Sequence, residues 1–303
     1  MTPHFLEELK KVIAAEQILT DEPMSRHITF RVGGPADILV QPKADEMPGI
    51  IRLCQQEQMP YTIIGNGSNL LVSDRGIRGM VIELSGRISN VRVEGCSVYA
   101  EAGAMLSKVA VAAAKAGLTG MEFASGIPGT IGGAVVMNAG AYGGELSHIV
   151  KSVTVLDQEG QTKRLTAEEM DYGYRHSCVM DHSYIVLEAE LGLKEGDKEV
   201  ITAYMQELTD RRAQKQPLEY PSAGSTFKRP KGYFAGKLIM DAGLRGFSVG
   251  GAQISEKHCG FVINKGDATA SDIVSLMKHV QDEVRKQFGV GLEPEVRKLG
   301  DFE

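Results

Sequence analysis

The run Ser222-Ala223-Gly224-Ser225-Thr226-Phe227-Lys228-Arg229-Pro230 sets a serine between a glycine and a basic tail, and two other segments complete what that serine could do. Tyr174-Arg175-His176-Ser177 supplies a guanidinium, and Leu292-Glu293-Pro294-Glu295-Val296-Arg297 supplies a carboxyl group. The hydroxyl of Ser225, the guanidinium of Arg175 and the carboxyl of Glu295 come from distant parts of the chain, with no histidine base and no metal-ligand set beside them. Such a set suits protonation of a carbanion next to a carboxylate better than it suits hydrolysis. An arginine fork holds a carboxylate, and a hydroxyl, too weak an acid for most general-acid work, is matched to a base as strong as an enediolate. Taken singly, each residue also reads as structure: a turn serine, a surface ion-pair arginine, a strand-edge carboxylate.

Other chemistries lack their residues. His4, His27, His148, His176, His182, His258 and His279 form no His-Glu-x-x-His pattern and no zinc set with Cys54, Cys96, Cys178 and Cys259, so no metal is expected. The cysteines are dispersed, without a Cys-x-x-Cys pair, as in a reducing cytoplasm, and read as buried thiols. No Gly-x-Ser-x-Gly elbow and no phosphate-binding Gly-x-x-x-x-Gly-Lys-Ser/Thr loop occurs. A net charge of -6 argues against a nucleic-acid partner. Between Arg211 and Lys237, however, seven basic residues stand against one acidic residue, a local net of +6 that fits a small polyanionic ligand or a solvated face. The N-terminal segment, with Leu6, Leu9, Val12 and Ile13 among charges, predicts an amphipathic helix rather than a signal peptide, and no stretch is long and apolar enough to span a bilayer.

Two or three domains are expected of 303 residues. From Ala36 the pattern predicts a strand to Gln41, a helix over about 45–58 with Ile50, Ile51, Leu53 and Cys54 on one face, a strand Tyr61–Ile64, the loop Gly65-Asn66-Gly67-Ser68-Asn69, and a strand to Ser73. A second section, from about Leu84, alternates as strands around the Glu94-Gly95 turn and continues into an alanine-rich helix over about 105–116 that Gly117 ends. The glycine-rich stretch from Ala124 to Gly144 is too poor in side chains for a good regular element, which predicts backbone pressed close to something flat or anionic. A hairpin near Asp157–Gly160 and a strand from Tyr184 to Leu191 close this section. The last third opens with a helix from about Asp197 whose Val200, Ile201, Tyr204 and Leu208 share one side. It ends with a helix through Ile273, Leu276, Met277, Val280, Val284 and Phe288, stopped by Gly289; both apolar stripes read as core.

Neither glycine loop is a Rossmann fingerprint, because Gly65-x-Gly67 lacks the third glycine and no suitable helix follows it. Two such loops, one leaving a βαβ strand and one inside a β-rich unit, instead point to a dinucleotide held between two subdomains by backbone N–H groups.

Five segments in order then resemble one family. They are Ile64-Gly65-Asn66-Gly67-Ser68-Asn69-Leu70, Gly126-Ile127-Pro128-Gly129-Thr130-Ile131-Gly132-Gly133-Ala134, Asn138-Ala139-Gly140-Ala141-Tyr142-Gly143, the Ser225 run and the Glu295 run. The sequence closely resembles UDP-N-acetylenolpyruvoylglucosamine reductases from about Phe30 to Arg297, and any one segment alone would be weak. The resemblance implies an α+β protein with a vanillyl-alcohol-oxidase-like (PCMH-type) FAD-binding fold: flavin subdomains at 1–84 and 85–196, and a substrate domain at 197–303. It implies non-covalent FAD contacted by Gly65, Asn66, Gly67, Ser68, Asn69, Gly129, Thr130, Gly133, Asn138, Gly140, Ala141 and Arg212. It also implies that Lys215, Arg229 and Arg297 meet the substrate, UDP-N-acetylglucosamine enolpyruvate, and that NADPH is the reductant.

The implied reaction belongs to peptidoglycan precursor synthesis in the cytoplasm: a hydride reaches the enolpyruvyl carbon from the flavin, and Ser225 protonates the neighbouring carbon. Arg175 then holds the carboxylate, Glu295 in its acid form donates a hydrogen bond to the developing charge, and Lys228 and Arg229 steady the serine alkoxide if they point inward. Arg229 stands where one branch of the family has asparagine, and the tyrosine-bearing loop of that branch has no counterpart here, so the chain resembles the shorter-loop branch. The alternatives are a flavin oxidase of the same fold acting on an alcohol or sugar, for which the motifs lack a His or Tyr base, and a non-enzymatic UDP-sugar binder, which would not need Arg175, Ser225 and Glu295 together.

Overall fold

The computed structural model describes residues 3–302. The βαβ pattern near the N-terminus forms as its sequence dictates. Strand Pro35–Val40 leads to helix Met47–Gln56, which has Pro48 in its first turn, where no intrahelical N–H bond is lost, and which buries Ile50, Ile51, Leu53 and Cys54. Strand Tyr61–Ile64 follows and pairs in parallel with Ile77–Glu83, from Tyr61 opposite Met80 to Ile64 opposite Glu83. With Ile18–Pro23 these strands make a four-stranded sheet ordered Ile18–Pro23, Pro35–Val40, Ile77–Glu83, Tyr61–Ile64.

A second sheet has five antiparallel strands in the order Thr162–Thr166, Val150–Leu156, Ile185–Gly192, Ser97–Glu101, Val91–Glu94. Its strands alternate, so that Val98, Ala100, Val153, Val155, Ala189 and Leu191 are buried in the same core as Val109 and Ala113 of helix Leu106–Lys115 and Ile131 and Val135 of helix Ile131–Val136. Each fully buried valine or leucine there contributes about 1.5–3 kcal/mol. Gly117, at φ +72°, ends the alanine-rich helix in the left-handed conformation expected of it.

Chain contacts divide the molecule into two units that do not follow chain order. The first comprises the chain up to Thr20, Ile38–Asn66 and Gly79–Arg212; the second comprises Asp21–Asp37, Gly67–Arg78 and the chain from Ala213. The segment expected as one N-terminal flavin subdomain therefore contributes residues to both. In the second unit, strands Ser248–Val249, Ala252–Ile254 and Val262–Asn264 form an antiparallel sheet, and Arg297–Leu299 pairs in parallel with Leu70–Val72. Helix Ala270–Phe288 begins at a Thr269–Asp272 capping box, and the Asp74 carboxylate accepts from the Ala270 and Ser271 amides at 2.7 and 2.9 Å. It ends at Gly289, φ +69°.

Several expectations need correction. The glycine-rich stretch does contain regular elements: helix Ile131–Val136 and the paired strands Gly140–Ala141 and Gly144–Glu145. Gly132 is tolerated in that helix because Ala102 packs against it so closely that a Cβ would lie 3.0 Å from the alanine Cβ. The N-terminal helix is Pro3–Leu9 and stops short of Val12 and Ile13. Helix Lys198–Lys215 buries Ile201 and Leu208, but Val200 is 68% and Tyr204 41% exposed, because helical spacing puts residues on one side without supplying a partner for all of it. Phe288 is exposed in the last turn of its helix, and Cys96, in the turn between Val91–Glu94 and Ser97–Glu101, is exposed while the other three cysteines are buried.

Candidate active site

In the second unit, the Ser225 run is held between two neighbouring stretches through the buried Thr226. The Thr226 amide donates to the Gly260 carbonyl at 2.9 Å, and its hydroxyl accepts from the Val262 amide at 2.9 Å. On the other side, the Glu295 amide donates to the Thr226 carbonyl at 2.8 Å, and the Lys228 amide to the Glu293 carbonyl at 2.9 Å. Ser225, next to Thr226, is exposed, and Glu295 is half-buried. The structure thus brings two of the three candidate catalytic residues onto adjacent backbone segments. Asn69 joins them: its side-chain amide donates to the Glu295 carbonyl at 3.2 Å, and its own carbonyl accepts from the Arg297 amide at 2.9 Å.

The basic residues around this serine are already engaged. Lys228 Nζ lies 3.2 Å from Glu293 Oε2, and the Arg229 guanidinium stacks over the Phe234 ring at 4.0 Å. Their help to the serine alkoxide depends on both side chains pointing inward, and the structure gives each a neighbour: Glu293 for Lys228 and Phe234 for Arg229. Lys215, at the end of helix Lys198–Lys215, and Arg297 are exposed. Gly67, at φ +60°, must be glycine, because a Cβ would run into the His27 carbonyl, and Ser68 beside it is half-buried.

In the first unit, Gly65 and Asn66 meet the second glycine loop. A Cβ at Gly65 would strike Thr130 Oγ1, and the Asn66 side chain donates to the Pro128 carbonyl at 2.7 Å. Gly129 accepts from the Leu106 amide at 3.0 Å, and Thr130 caps helix Ile131–Val136 by accepting from the Gly133 amide. Arg212 lies along Gly126, whose missing Cβ leaves the room: a Cβ would sit 3.0 Å from Arg212 Cδ. Burial holds the Arg212 pKa below its usual value, and Tyr142 acts weakly in the other direction. No carboxylate among the described residues forms an ion pair with it.

Arg175 also belongs to the first unit. It sits at φ +58° in the turn Gly173–His176, where the His176 amide donates to the Gly173 carbonyl at 3.3 Å. The buried Asn138 spends its side chain on this frame: Nδ2 donates to the Gly173 carbonyl at 3.2 Å and Oδ1 accepts from the Ser147 amide at 2.9 Å. What Asn138 can offer a ligand is therefore backbone. Gly140 and Ala141 pair with Glu145 and Gly144 across a two-residue turn of Tyr142 and Gly143, at φ +54° and +87°.

A flavin fits these residues. Gly133 is an exposed glycine inside a helix, and an added Cβ would meet only Thr130 Oγ1, at 3.7 Å. Glycine there costs helix stability with no protein atom requiring it, which leaves room for a closely approaching ligand. Arg212, partly buried without a carboxylate, suits an anionic group. Among the described residues no group of three His, Cys, Asp or Glu side chains could hold a metal ion.

A family model described as "FAD binding domain" matches residues 36–166, and one described as "UDP-N-acetylenolpyruvoylglucosamine reductase, C-terminal domain" matches residues 216–299. A UDP-N-acetylenolpyruvoylglucosamine reductase of Agathobacter rectalis is 53% identical over 314 residues, covering 100% of both chains. The chain belongs to the UDP-N-acetylenolpyruvoylglucosamine reductase family. The crystal structure of the family member from Thermus caldophilus is 36% identical and superposes with a TM-score of 0.79 over 93% of this chain and 98% of that one. A 4-ethylphenol oxidase from Gulosibacter chungangensis, 12% identical, matches with a TM-score of 0.51 over 96% of this chain and 64% of that one, which places the fold in the vanillyl-alcohol-oxidase-like, PCMH-type class. As a member of this reductase family with an FAD-binding domain, the chain is a flavin-dependent oxidoreductase.

Thr226, Tyr142 and Glu145 are site-forming residues that spacing did not reveal. Tyr142 and Thr226 lie within the Asn138–Gly143 and Ser222–Pro230 motifs, and Glu145 two residues beyond the former, which was the signal that could have found them.

Proposed function

We propose that this enzyme reduces the enolpyruvyl group of UDP-N-acetylglucosamine enolpyruvate to UDP-N-acetylmuramate, with NADPH as the reductant. FAD, when bound, supplies the hydride chemistry. The chain's own residues must meet the charge that appears once a hydride has reached the terminal vinyl carbon, because the adjacent carbon and the substrate carboxylate then share an enediolate. Arg175 binds that carboxylate as a cationic fork, and Glu295 contacts the developing enediolate. The Ser225 hydroxyl delivers its proton to the adjacent carbon and completes the saturated lactyl ether, the resulting alkoxide being reprotonated before the next turnover. Lys215, Arg229 and Arg297 bind the nucleotide diphosphate portion. Gly65 to Asn69, Gly129, Thr130, Gly133, Asn138, Gly140, Ala141 and Arg212 hold the flavin, through backbone N–H groups except at Arg212. The flavin duty falls mainly to 1–84 and 85–196 and the substrate duty to 197–303, in a cytoplasmic enzyme of peptidoglycan precursor synthesis. No helix among the described residues is long and apolar enough to cross a membrane.

The observation that supports this best is the exposed Ser225 next to Thr226, whose carbonyl accepts directly from the Glu295 amide. NADPH oxidation dependent on the enolpyruvyl substrate tests the overall reaction. Separating its halves tests the serine. Ser225→Ala should leave flavin reduction by NADPH near wild type and slow reoxidation by substrate about 10²- to 10⁴-fold, the range for a lost general acid, while Ser225→Cys keeps partial activity. Equal slowing of both halves, with flavin content intact, would reassign Ser225 to positioning.

A further inference from the structure

His258 lies in the hairpin loop 255–261, between strands Ala252–Ile254 and Val262–Asn264. The loop closes without its imidazole. The Ser255 amide donates to the Phe261 carbonyl and the Phe261 amide to the His258 carbonyl, both at 3.0 Å, and the Ser255 hydroxyl accepts from the Lys257 and His258 amides at 3.2 Å. The ring has a different bond: Nδ1 accepts from the Gly260 amide at 3.1 Å, which leaves the proton of the neutral imidazole on Nε2. Burial pushes the His258 pKa below its usual value, in keeping with a ring that accepts at Nδ1. Two glycines make room for it. A Cβ at Gly260 would lie 2.9 Å from His258 Cε1 and 3.1 Å from Nδ1. One at Gly236, inside helix Ala235–Asp241, would lie 3.3 Å from Cε1 and 3.0 Å from the Gly260 nitrogen. Phe261 meets the ring in a T-shaped contact, centroids 5.0 Å apart.

From Nδ1 a chain of bonds runs to the candidate catalytic residues. The Gly260 carbonyl accepts from the Thr226 amide at 2.9 Å, and the Thr226 carbonyl accepts from the Glu295 amide at 2.8 Å. The Thr226 amide belongs to the peptide that joins Ser225 to Thr226, so whatever fixes the Gly260 carbonyl fixes the base of the Ser225 side chain. Glycine is the loosest residue from which to hang such a bond, because its backbone dihedrals are the least restricted. With its amide bound to Nδ1 and its carbonyl to Thr226, Gly260 is held from both sides. We propose that His258 is a positioning residue for Ser225: Nδ1 fixes Gly260, Gly260 fixes the peptide between Ser225 and Thr226, and the same chain of bonds ends on Glu295. His258 touches no reacting atom in this scheme; it acts through two peptides. A proton donor displaced by about 1 Å loses about 10²-fold in rate, so small shifts of that peptide matter. The inference rests on the role of Ser225 in the proposed reaction.

The test uses the flavin-loaded full chain with His258→Asn and His258→Leu, side chains of nearly one shape, of which only asparagine offers an acceptor close to where Nδ1 stands. In rapid mixing, His258→Leu should leave flavin reduction by NADPH within about twofold of wild type and slow reoxidation by the enolpyruvyl substrate about ten- to hundredfold. His258→Asn should stay within about threefold of wild type in both halves. In a Ser225→Ala background, His258→Leu should cost less than about twofold further, since the residue it positions is gone. Hydrogen exchange of the Thr226 amide reads the same alignment without turnover: it should quicken in His258→Leu and return towards wild type in His258→Asn. Gly236→Ala, whose Cβ presses on the Gly260 nitrogen, should slow the same half-reaction and loosen the same amide, and serves if His258→Leu fails to load flavin. Equal effects of leucine and asparagine on reoxidation, equal slowing of both half-reactions, or unchanged exchange at Thr226 would overturn the positioning role. Wild type that fails to oxidise NADPH with the enolpyruvyl substrate would overturn the functional reading, and the role of Ser225 with it, whatever the exchange data. Normal wild-type turnover with unchanged Thr226 exchange in His258→Leu overturns the inference alone.

Discussion

Gly133 offers a test in which protein stability and flavin affinity should move in opposite directions. It lies in the first turn of helix Ile131–Val136, has ordinary helical backbone, and is exposed. A Cβ there would find one neighbour, Thr130 Oγ1, at 3.7 Å, which is ordinary van der Waals contact. Gly133→Ala therefore adds no strain within the protein and removes the conformational entropy that glycine loses on folding, a gain of about 0.5–1 kcal/mol. For a chain of this size that raises the thermal midpoint of the flavin-free protein by about 1–3 °C. If the space belongs to FAD, the same methyl intrudes on the ligand and costs about 1–3 kcal/mol of binding, roughly a 5- to 150-fold weaker Kd. Thermal unfolding of flavin-free protein and titration of FAD by fluorescence quenching read the two effects separately. Gly132→Ala is the internal contrast: its Cβ would lie 3.0 Å from Ala102 Cβ and 3.1 Å from the Ala102 carbonyl oxygen, so it should lower the midpoint of the protein itself. A Gly133→Ala protein that is more stable yet binds FAD as wild type does would refute the assignment of that space to the flavin.

Three further outcomes follow from the same geometry. Because Gly65–Asn69 and Gly129–Ala141 contain no His or Cys, FAD should be non-covalent, and acid precipitation should release the yellow colour to the supernatant; colour in the pellet contradicts this. Lys215→Ala should raise KM for the UDP substrate about ten- to hundredfold, for a lost charge-assisted contact of about 1.5–3 kcal/mol, and an unchanged KM removes Lys215 from the site. The His176 pKa is raised from 6.5, first by its hydrogen bond to Asp181 and then by the charges of Asp181 and Asp171, so its contribution to stability is complete below the unfolded value and fades as pH rises through the folded one. His176→Gln should accordingly lower the unfolding midpoint at about pH 5.5 and match wild type at about pH 9; an equal deficit at both would show that the imidazole's charge is irrelevant.

The parts of this molecule that were legible in sequence are those governed by local rules. The strand Tyr61–Ile64, the helix face of Ile50, Ile51, Leu53 and Cys54, and the Gly117 and Gly289 stops emerge where periodicity and glycine conformation place them, because neighbours along the chain decide them. Where the outcome depends on what packs against a face, local pattern failed. Val200 and Tyr204 share a side with Ile201 and Leu208 yet lie exposed, and Gly132 sits in a helix because Ala102 needs the room. The division into units was equally hidden, since only the folded chain shows that Asp21–Asp37 and Gly67–Arg78 join the C-terminal segment. For the candidate site, the ordered motifs pointed to Ser225 and Glu295, but the bond that makes their segments neighbours, from the Glu295 amide to the Thr226 carbonyl, has no signature in either segment.

The distribution of strain carries the argument one step further. Asn138, Tyr142, Asp171 and Arg175 all have positive φ, at +41°, +54°, +42° and +58°, and they fall within two short loops next to the five-stranded sheet in sequence. Asparagine and aspartate tolerate that region, but tyrosine and arginine do not, and each such residue costs about 1–3 kcal/mol unless its surroundings enforce it. Glycine at position 175 would relieve the turn at once, so the turn itself gives no reason for an arginine there. The reason must lie in the side chain, and the Asn138 bond to the Gly173 carbonyl is what keeps that side chain on a fixed base. The buried strands Val150–Leu156 and Ile185–Gly192 offset the cost, since a few fully buried valines and leucines outweigh one strained turn. Stability gathered in the sheet thereby offsets the cost of holding residue 175 in that conformation, which is consistent with the carboxylate-binding role proposed for the Arg175 side chain.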